Sequence, residues 1–172
     1  MPDYRIRPAT IGDLDVLVHH RVAMFLDMGT PMDEEAVARE FRRWVTEMLP
    51  SGTYRGWVVE TAASHPAPHG SSPTVVAGGG ICIFPWPPGP QSLGDRLAFV
   101  YNVYTEPAHR RQGLARKVME AIHAWCREAG ISTLALNSSV DGRSLYESLG
   151  YRVRPNPMMV CELLGSEARG GG

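Results

Sequence analysis

Arg110-Arg111-Gln112-Gly113-Leu114-Ala115 is the segment whose residue types and spacing point most directly to chemistry. It lies between the apolar run LAFVYNVY (97–104) and a helical stripe at Leu114, Val118, Ile122, Trp125 and Ala129. The first turn of a helix carries N–H groups without intrahelical partners and a partial positive charge, which suits a phosphate. Gly113 and the small Ala115 allow close approach of a ligand, and Arg110, Arg111 and Arg116 add positive charge. The segment therefore reads as a pyrophosphate cradle built mainly from backbone amides. An ordinary basic turn with a glycine at the helix start is the other reading of the same residues. Neither GxxxxGK[ST] nor GxGxxG is present at this position.

Other groupings carry less. His65 and His69 are four apart in a Pro/Ser-rich stretch with no further ligand beside them, whereas zinc sites use three or four protein ligands. No metal site is expected. His19 and His20 project about 100° apart on a helix and do not form a chelating pair. Cys82, Cys126 and Cys161 form no CxxC pair, so neither a disulfide framework nor a cysteine–zinc site is expected, and a reduced cytoplasmic setting is the simplest reading.

The elements that must position the turn follow from pattern. Tyr4–Arg7 is a short strand stopped by Pro8. Thr10 and Asp13 form a box-like helix start ahead of a stripe at Leu14, Leu17, Val18, Val22, Phe25 and Leu26, ended by Gly29. A second helix starts at Thr30-Pro31 and ends before Pro50. Strands are expected at 54–61, 75–84, 97–104 and 131–136, and a short helix at 141–149 capped by Gly150. Two last strands fit 151–153 and 158–163. The order is β-α-α-β-β-β-α-β-α-β-β, a mixed α/β domain over residues 1–164 with a tail at 165–172. The 97–136 unit implies a parallel crossover, and the middle strands imply an antiparallel portion.

Composition sets outer bounds. Of 172 residues, 17 are Lys or Arg and 18 are Asp or Glu, so the net charge is -1 and a nonspecific nucleic-acid binder is excluded. No apolar run is long enough for a membrane helix, and MPDYRIRPAT is not a secretory signal. Glycine and proline, 18 and 14, make up nearly a fifth of the chain. Residues 62–95 concentrate them in two loops around one strand, just ahead of 97–104.

Three blocks in order resemble the GNAT superfamily of acetyl-CoA-dependent N-acetyltransferases. RRQGLA is similar to its Q/R-x-x-G-x-G/A element, SLYESLGY (144–151) to its LYxxxGF block, and IRPATIGDLDVLVHHRVAMFLDMG to its first strand and helix. The resemblance implies that the amides of Arg111, Gln112, Gly113, Leu114, Ala115 and Arg116, with Arg110 beside them, hold the pyrophosphate of coenzyme A. It implies that Asn102, Val103 and Tyr104 face the pantetheine arm between two splaying parallel strands. The backbone N–H near Val103 would hold the thioester oxygen as charge develops. Tyr146 matches the tyrosine near the cofactor sulfur, and a phenol near pKa 10 can return a proton to the leaving thiolate.

The family pattern carries Asn and Ala ahead of the LY pair; here Ser139 and Gly142 stand there, with Asn137 nearby. Ser139 and Asn137 are the expected pantetheine contacts. Phe25, Met28, Trp86 and Asn102 are candidates for the acceptor side, with Met32 beside them. No general base is singled out among His20, Asp27, Glu60, Glu106 and His109, and Glu106-Pro107 reads as an exposed turn. The implied activity is acetyl transfer to a primary amine by direct attack, without metal or acyl-cysteine, in a chain with a homodimer as the expected assembly. A CoA-binding domain without activity and an enzyme for longer acyl-CoA are the alternatives.

Overall fold

The computed structural model describes residues 3–61, 73–90, 92–155 and 158–161. Its backbone divides into two compact units, Met1–Asn137 and Ser138–Gly172.

The first unit is a five-stranded mixed sheet in the order β1-β2-β3-β4-β5. The strands are β1 Tyr4–Pro8, β2 Tyr54–Thr61, β3 Val75–Pro85, β4 Arg96–Thr105 and β5 Thr133–Ala135. The first four pair antiparallel, and β5 runs parallel to β4. Helices α1 Leu14–Asp27 and α2 Glu34–Ser51 lie between β1 and β2, and α3 Leu114–Glu128 joins β4 to β5.

Alternation along the strands separates the two faces. Val58 packs with Leu17 and Val45, from α1 and α2. Its neighbour Trp57 meets Trp125 of α3, ring centres 6.2 Å apart. The helices α1 and α3 therefore cover opposite faces. Gly78-Gly79-Gly80 in β3 lets both come close. A Cβ at Gly78 would stand 3.3 Å from His20 Nδ1 on the α1 face, and one at Gly79 would stand 2.9 Å from Val118 on the α3 face. A Cβ at Gly80 would be 2.5 Å from the Arg55 carbonyl oxygen, a contact no side chain tolerates.

An ionic knot fixes the start of α1. Asp13 takes both guanidinium branches of Arg7, at 2.8 and 2.9 Å, and the Thr10 amide at 2.8 Å, while Arg7 Nε donates to Glu60 on β2. The Arg7 hydrogen bonds hold the Asp13 carboxyl below its ordinary range.

Several expected boundaries are corrected. The second helix starts at Glu34, not at Thr30, because Asp33 accepts from the Ala36 amide and caps it. It runs through Pro50 to Ser51, and Gly52 closes it at φ 76°. The strand expected at 131–136 shortens to Thr133–Ala135.

Among its described residues the second unit contains one helix, α4 Arg143–Ser148. No strand forms at 151–153, because the Tyr151 amide bonds back to the Tyr146 carbonyl in the cap of α4 instead of a ladder. Residues 158–161 also form no strand, and 162–163 lie outside the described residues, as do His65, His69 and 165–172.

Candidate functional site

The end of β4 and the start of α3 form one continuous feature. β5 pairs with β4 only at Leu97, Ala98 and Phe99. Among the described residues no strand pairs with β4 on that side from Val100 to Thr105, so this part of its edge is open. Within the open part, Gly78 pairs with Tyr104 and Gly80 with Tyr101, leaving Asn102 and Val103 opposite Gly79 alone. This is a β-bulge, and Asn102 takes the left-handed conformation at φ 56°. Asn102 and Val103 nevertheless face opposite sides of the sheet. Val103 lies over Gly79, on the α3 face. Asn102 is 5% exposed and its Oδ1 accepts from Arg21 Nη1 of α1 at 2.6 Å.

Beyond β4, residues Pro107–His109 form a short 3-10 turn, and Gly113 caps α3 in the left-handed region at φ 77°. Arg111 is also left-handed, at φ 63°. Nothing lies within 4 Å of where a Gly113 Cβ would stand, so the glycine serves conformation and access, not packing. The first intrahelical bond runs from the Lys117 amide to the Gly113 carbonyl, so the first-turn amides precede the ladder. β1 buttresses this turn: the Tyr4 hydroxyl donates to Gln112 Oε1 at 2.9 Å and lies 2.8 Å from His109 Nδ1. Lys117 Nζ donates to the Tyr4 carbonyl. The sequence pattern offered no signal for this support, which depends on a contact across more than a hundred residues.

Arg110 turns away from the helix start. It pairs with Asp27 at the end of α1, donates to the Thr105 carbonyl and lies over the Tyr104 ring. Tyr104 itself is buried against His20, with ring centres 5.1 Å apart. The side chains of Asn102 and Tyr104 therefore face α1, and only their backbone lies along the open edge. Asn137 is exposed two residues beyond β5.

Glu106, Glu60, Asp27 and His109 are each hydrogen-bonded, and His20 is buried without a hydrogen bond among the described residues. Glu106 is not an exposed turn residue: it accepts from His19 Nε2 at 2.8 Å and lies 3.4 Å from His20 Nε2. The two histidines, although 100° apart in azimuth, converge on this one carboxylate. His20 is 1% exposed, and burial, opposed by Glu106, pushes it down to about 4, so it is neutral at neutral pH. Glu60 is tied to Arg7, Asp27 to Arg110, and His109 to Tyr4.

Of the acceptor-side candidates, Phe25 is half-buried beneath Arg21, whose guanidinium carbon lies 4.4 Å from its ring centre. Met28 and Trp86 are exposed. Arg21 stands at the place in the Leu14-Leu17-Val18-Val22-Phe25 stripe where a helix presents its apolar face, a cation the pattern itself sets apart. A shallow open depression beside Ser51, Thr53, Ile83 and Arg96 lies at the far end of β4 and uses none of these groups.

In the second unit, Ser139 Oγ accepts the Gly142 amide at 3.1 Å and so starts α4. A Cβ at Gly142 would stand 3.0 Å from the Tyr146 ring, so the glycine gives that ring room. Tyr146 packs edge-on to Tyr151, and burial raises its phenol above the ordinary value. Among the described residues no group of side chains is arranged to hold a metal ion, and no helix is long and apolar enough to cross a membrane.

Comparison with known proteins places this arrangement. Residues 30–151 match the model of the acetyltransferase (GNAT) family. No curated protein matches the chain. Among solved structures, a GCN5-related N-acetyltransferase from Ralstonia eutropha JMP134 is similar at 29% identity and TM-score 0.76, over 92% of this chain and 99% of that one. A predicted acetyltransferase with acetyl-CoA from Clostridium acetobutylicum is similar at 21% identity and TM-score 0.79, over 92% and 96%. Glucosamine-6-phosphate N-acetyltransferase from Arabidopsis thaliana is similar at 20% identity and TM-score 0.62, over 92% and 98%.

Proposed function

The chain belongs to the GNAT acetyltransferase family, and on that premise we propose that it transfers an acetyl group from acetyl-CoA to a primary amine by direct attack in a ternary complex. The observation that carries this reading is the open edge of β4 from Val100 to Thr105, leading without interruption to the Gly113 turn. A pantetheine arm needs an extended backbone to bond with, and a pyrophosphate needs helix-start amides. Here the two are consecutive in the chain.

The residues then divide the work. The amides of Arg111 through Arg116 hold the pyrophosphate, and the backbone of Asn102, Val103 and Tyr104 lines the pantetheine, with Asn137 and Ser139 supplying further contacts. The bulge directs the Val103 N–H to the thioester oxygen. The neutral amine nitrogen attacks the carbonyl carbon, a C–N bond forms and the C–S bond breaks. Tyr146 gives its proton to the leaving thiolate, and its raised phenol pKa keeps that proton in place at neutral pH. The amine proton passes to solvent, since Glu60, Asp27, Glu106 and His109 are paired elsewhere and His20 is buried. Cys82 and Cys126 are buried thiols pushed up to about 11, which suits packing and not nucleophilic attack.

One acetyltransferase domain over residues 1–164 fits this reading, with the cytoplasm as its compartment and a homodimer as its assembly. The test is release of free CoA thiol from acetyl-CoA with a broad panel of amines. Amine-dependent release is expected. Tight acetyl-CoA binding without turnover on any amine would refute the enzymatic reading, and faster turnover of longer thioesters would refute the acetyl preference.

A further inference from the structure

Arg21 is a half-buried cation on the α1 face of the bulge, without an anionic partner among the described residues. It donates to the neutral Asn102 Oδ1, and its guanidinium lies over the rings of Phe25 and Phe41, 4.4 and 5.4 Å from their centres. The groups that face it are Tyr54, Tyr101 and Cys82. Burial raises all three above their ordinary values, so none is charged at neutral pH. The nearby carboxylates are used elsewhere, Glu106 by His19 and Asp27 by Arg110.

Beside it, Asn102 Nδ2 and the hydroxyl of the fully buried Tyr54 have no close hydrogen-bond partner among the described residues, and the Asn102 amide acts on the phenol, opposing the rise that burial gives its pKa. Because Asn102 Oδ1 is taken by Arg21, the amide presents only its N–H groups. The remaining guanidinium N–H groups and the Asn102 amide are donors, and the Tyr54 hydroxyl can both donate and accept. Unpaired buried donors are costly and uncommon in native structures. An arginine between aromatic rings is held in place with its fork free for a planar or tetrahedral oxyanion.

We propose that Arg21, oriented by Asn102, anchors a carboxylate or phosphate group carried by the amine acceptor. The assignment rests on the acetyltransferase reading above and narrows it. The substrate is an amine bearing an anion, such as an amino acid or a phosphorylated amino sugar. Cationic polyamines are disfavoured, since a second ammonium group would meet the Arg21 charge. Asn102, the hydrogen-bond partner of Arg21, is next to Val103, so the anion is held on the α1 side while the amine reaches the bulge.

The experiment uses matched amines that differ in the anion. The pairs are L-alanine with ethylamine, L-phenylalanine with 2-phenylethylamine, and glucosamine 6-phosphate with glucosamine. CoA release is measured on wild type, Arg21→Gln and Arg21→Lys, and calorimetric binding of each amine is measured on the same proteins. Charge-assisted bonds of this kind predict a preference of about tenfold to a hundredfold in kcat/KM for the anionic member of at least one pair. The preference falls to near unity in Arg21→Gln and is partly kept in Arg21→Lys, which retains the charge without the fork. Which pair responds separates a carboxylate from a phosphate source.

Turnover with no preference for the anion, or an equal preference in all three proteins, overturns the anchor and leaves the acetyltransferase reading standing. Absence of turnover on every amine overturns the acetyltransferase reading, and the binding arm then decides the anchor by itself. Binding of an anionic member weakened about tenfold or more in Arg21→Gln supports it; equal binding, or none, overturns it. Should Arg21→Gln fail to fold, the wild-type pair ratios and Arg21→Lys give the same decision.

Discussion

Replacing Gly113 by Ala separates the conformational role of the turn from packing. At φ 77° a residue with a Cβ bears about 1–2 kcal/mol of strain. No atom lies within 4 Å of the new Cβ, so strain is the whole effect. Gly130, at the other end of α3, provides a matched control, with φ 69° and equally open surroundings. Gly130→Ala is expected to show its cost entirely as stability, a loss of about 1–2 kcal/mol and roughly 2–8 °C in Tm. In Gly113→Ala the same quantity divides in two. Whatever part the free protein relieves by rotating out of the left-handed region must be restored when the amides close on a pyrophosphate. That part appears as weaker acetyl-CoA binding, at most about 5- to 30-fold. The assays are thermal unfolding and calorimetric binding of acetyl-CoA on both variants. Equal loss of acetyl-CoA affinity in Gly130→Ala, or no change in either affinity or Tm in Gly113→Ala, would refute the reasoning.

Tyr146→Phe is expected to lower kcat by about two orders of magnitude with acetyl-CoA binding unchanged, checked by steady-state rates beside calorimetry. His20 gives a pH dependence of stability. Its folded pKa of about 4 lies below the unfolded value near 6.5, so the unfolded chain binds the extra proton. Stability is full above pH 6.5 and falls by up to about 3 kcal/mol as pH drops toward 4. Denaturant titrations across that window should show the slope, and His20→Leu should flatten it. Gly80→Ala forces a Cβ to within 2.5 Å of a backbone oxygen and is expected to cost about 3 kcal/mol, roughly 10 °C in Tm, whereas Gly89→Ala, with no neighbour in reach, should be near neutral.

The parts legible in the sequence are those with a local cause. The stripe of α3, the doubly apolar β4, the box at Thr10 and Asp13 and the glycine before Leu114 each act through neighbours a few residues away. They placed the turn and four of the five strands of the sheet closely. What the sequence hid depends on long-range contact. Glu106 read as an exposed Glu-Pro turn, yet it is drawn to His19 and His20 from a helix more than eighty residues earlier. The strand expected at 151–153 has the right residue types, but the Tyr151 amide is already used by the helix cap before it. The bulge at Asn102 arises because one glycine in β3 faces two residues in β4, a register that neither strand states alone. Arg21 was visible as a charge on an apolar stripe, but its lack of a counter-ion is a property of the folded surroundings.

Gly78, Gly79 and Gly80 have one more consequence, and it concerns communication. At these three residues the wall between α1 and α3 is only a backbone thick. His20 and Tyr54 press on it from one side, and Val118 and Val103 from the other. A close-packed interior is barely compressible and passes displacement on instead of absorbing it. The helix that begins at the phosphate turn and the helix that carries Arg21 thus share a partition with no slack. Any energetic link between what occupies the two faces runs through this partition and must be reciprocal: whatever tightens one side when the other fills does so equally in reverse.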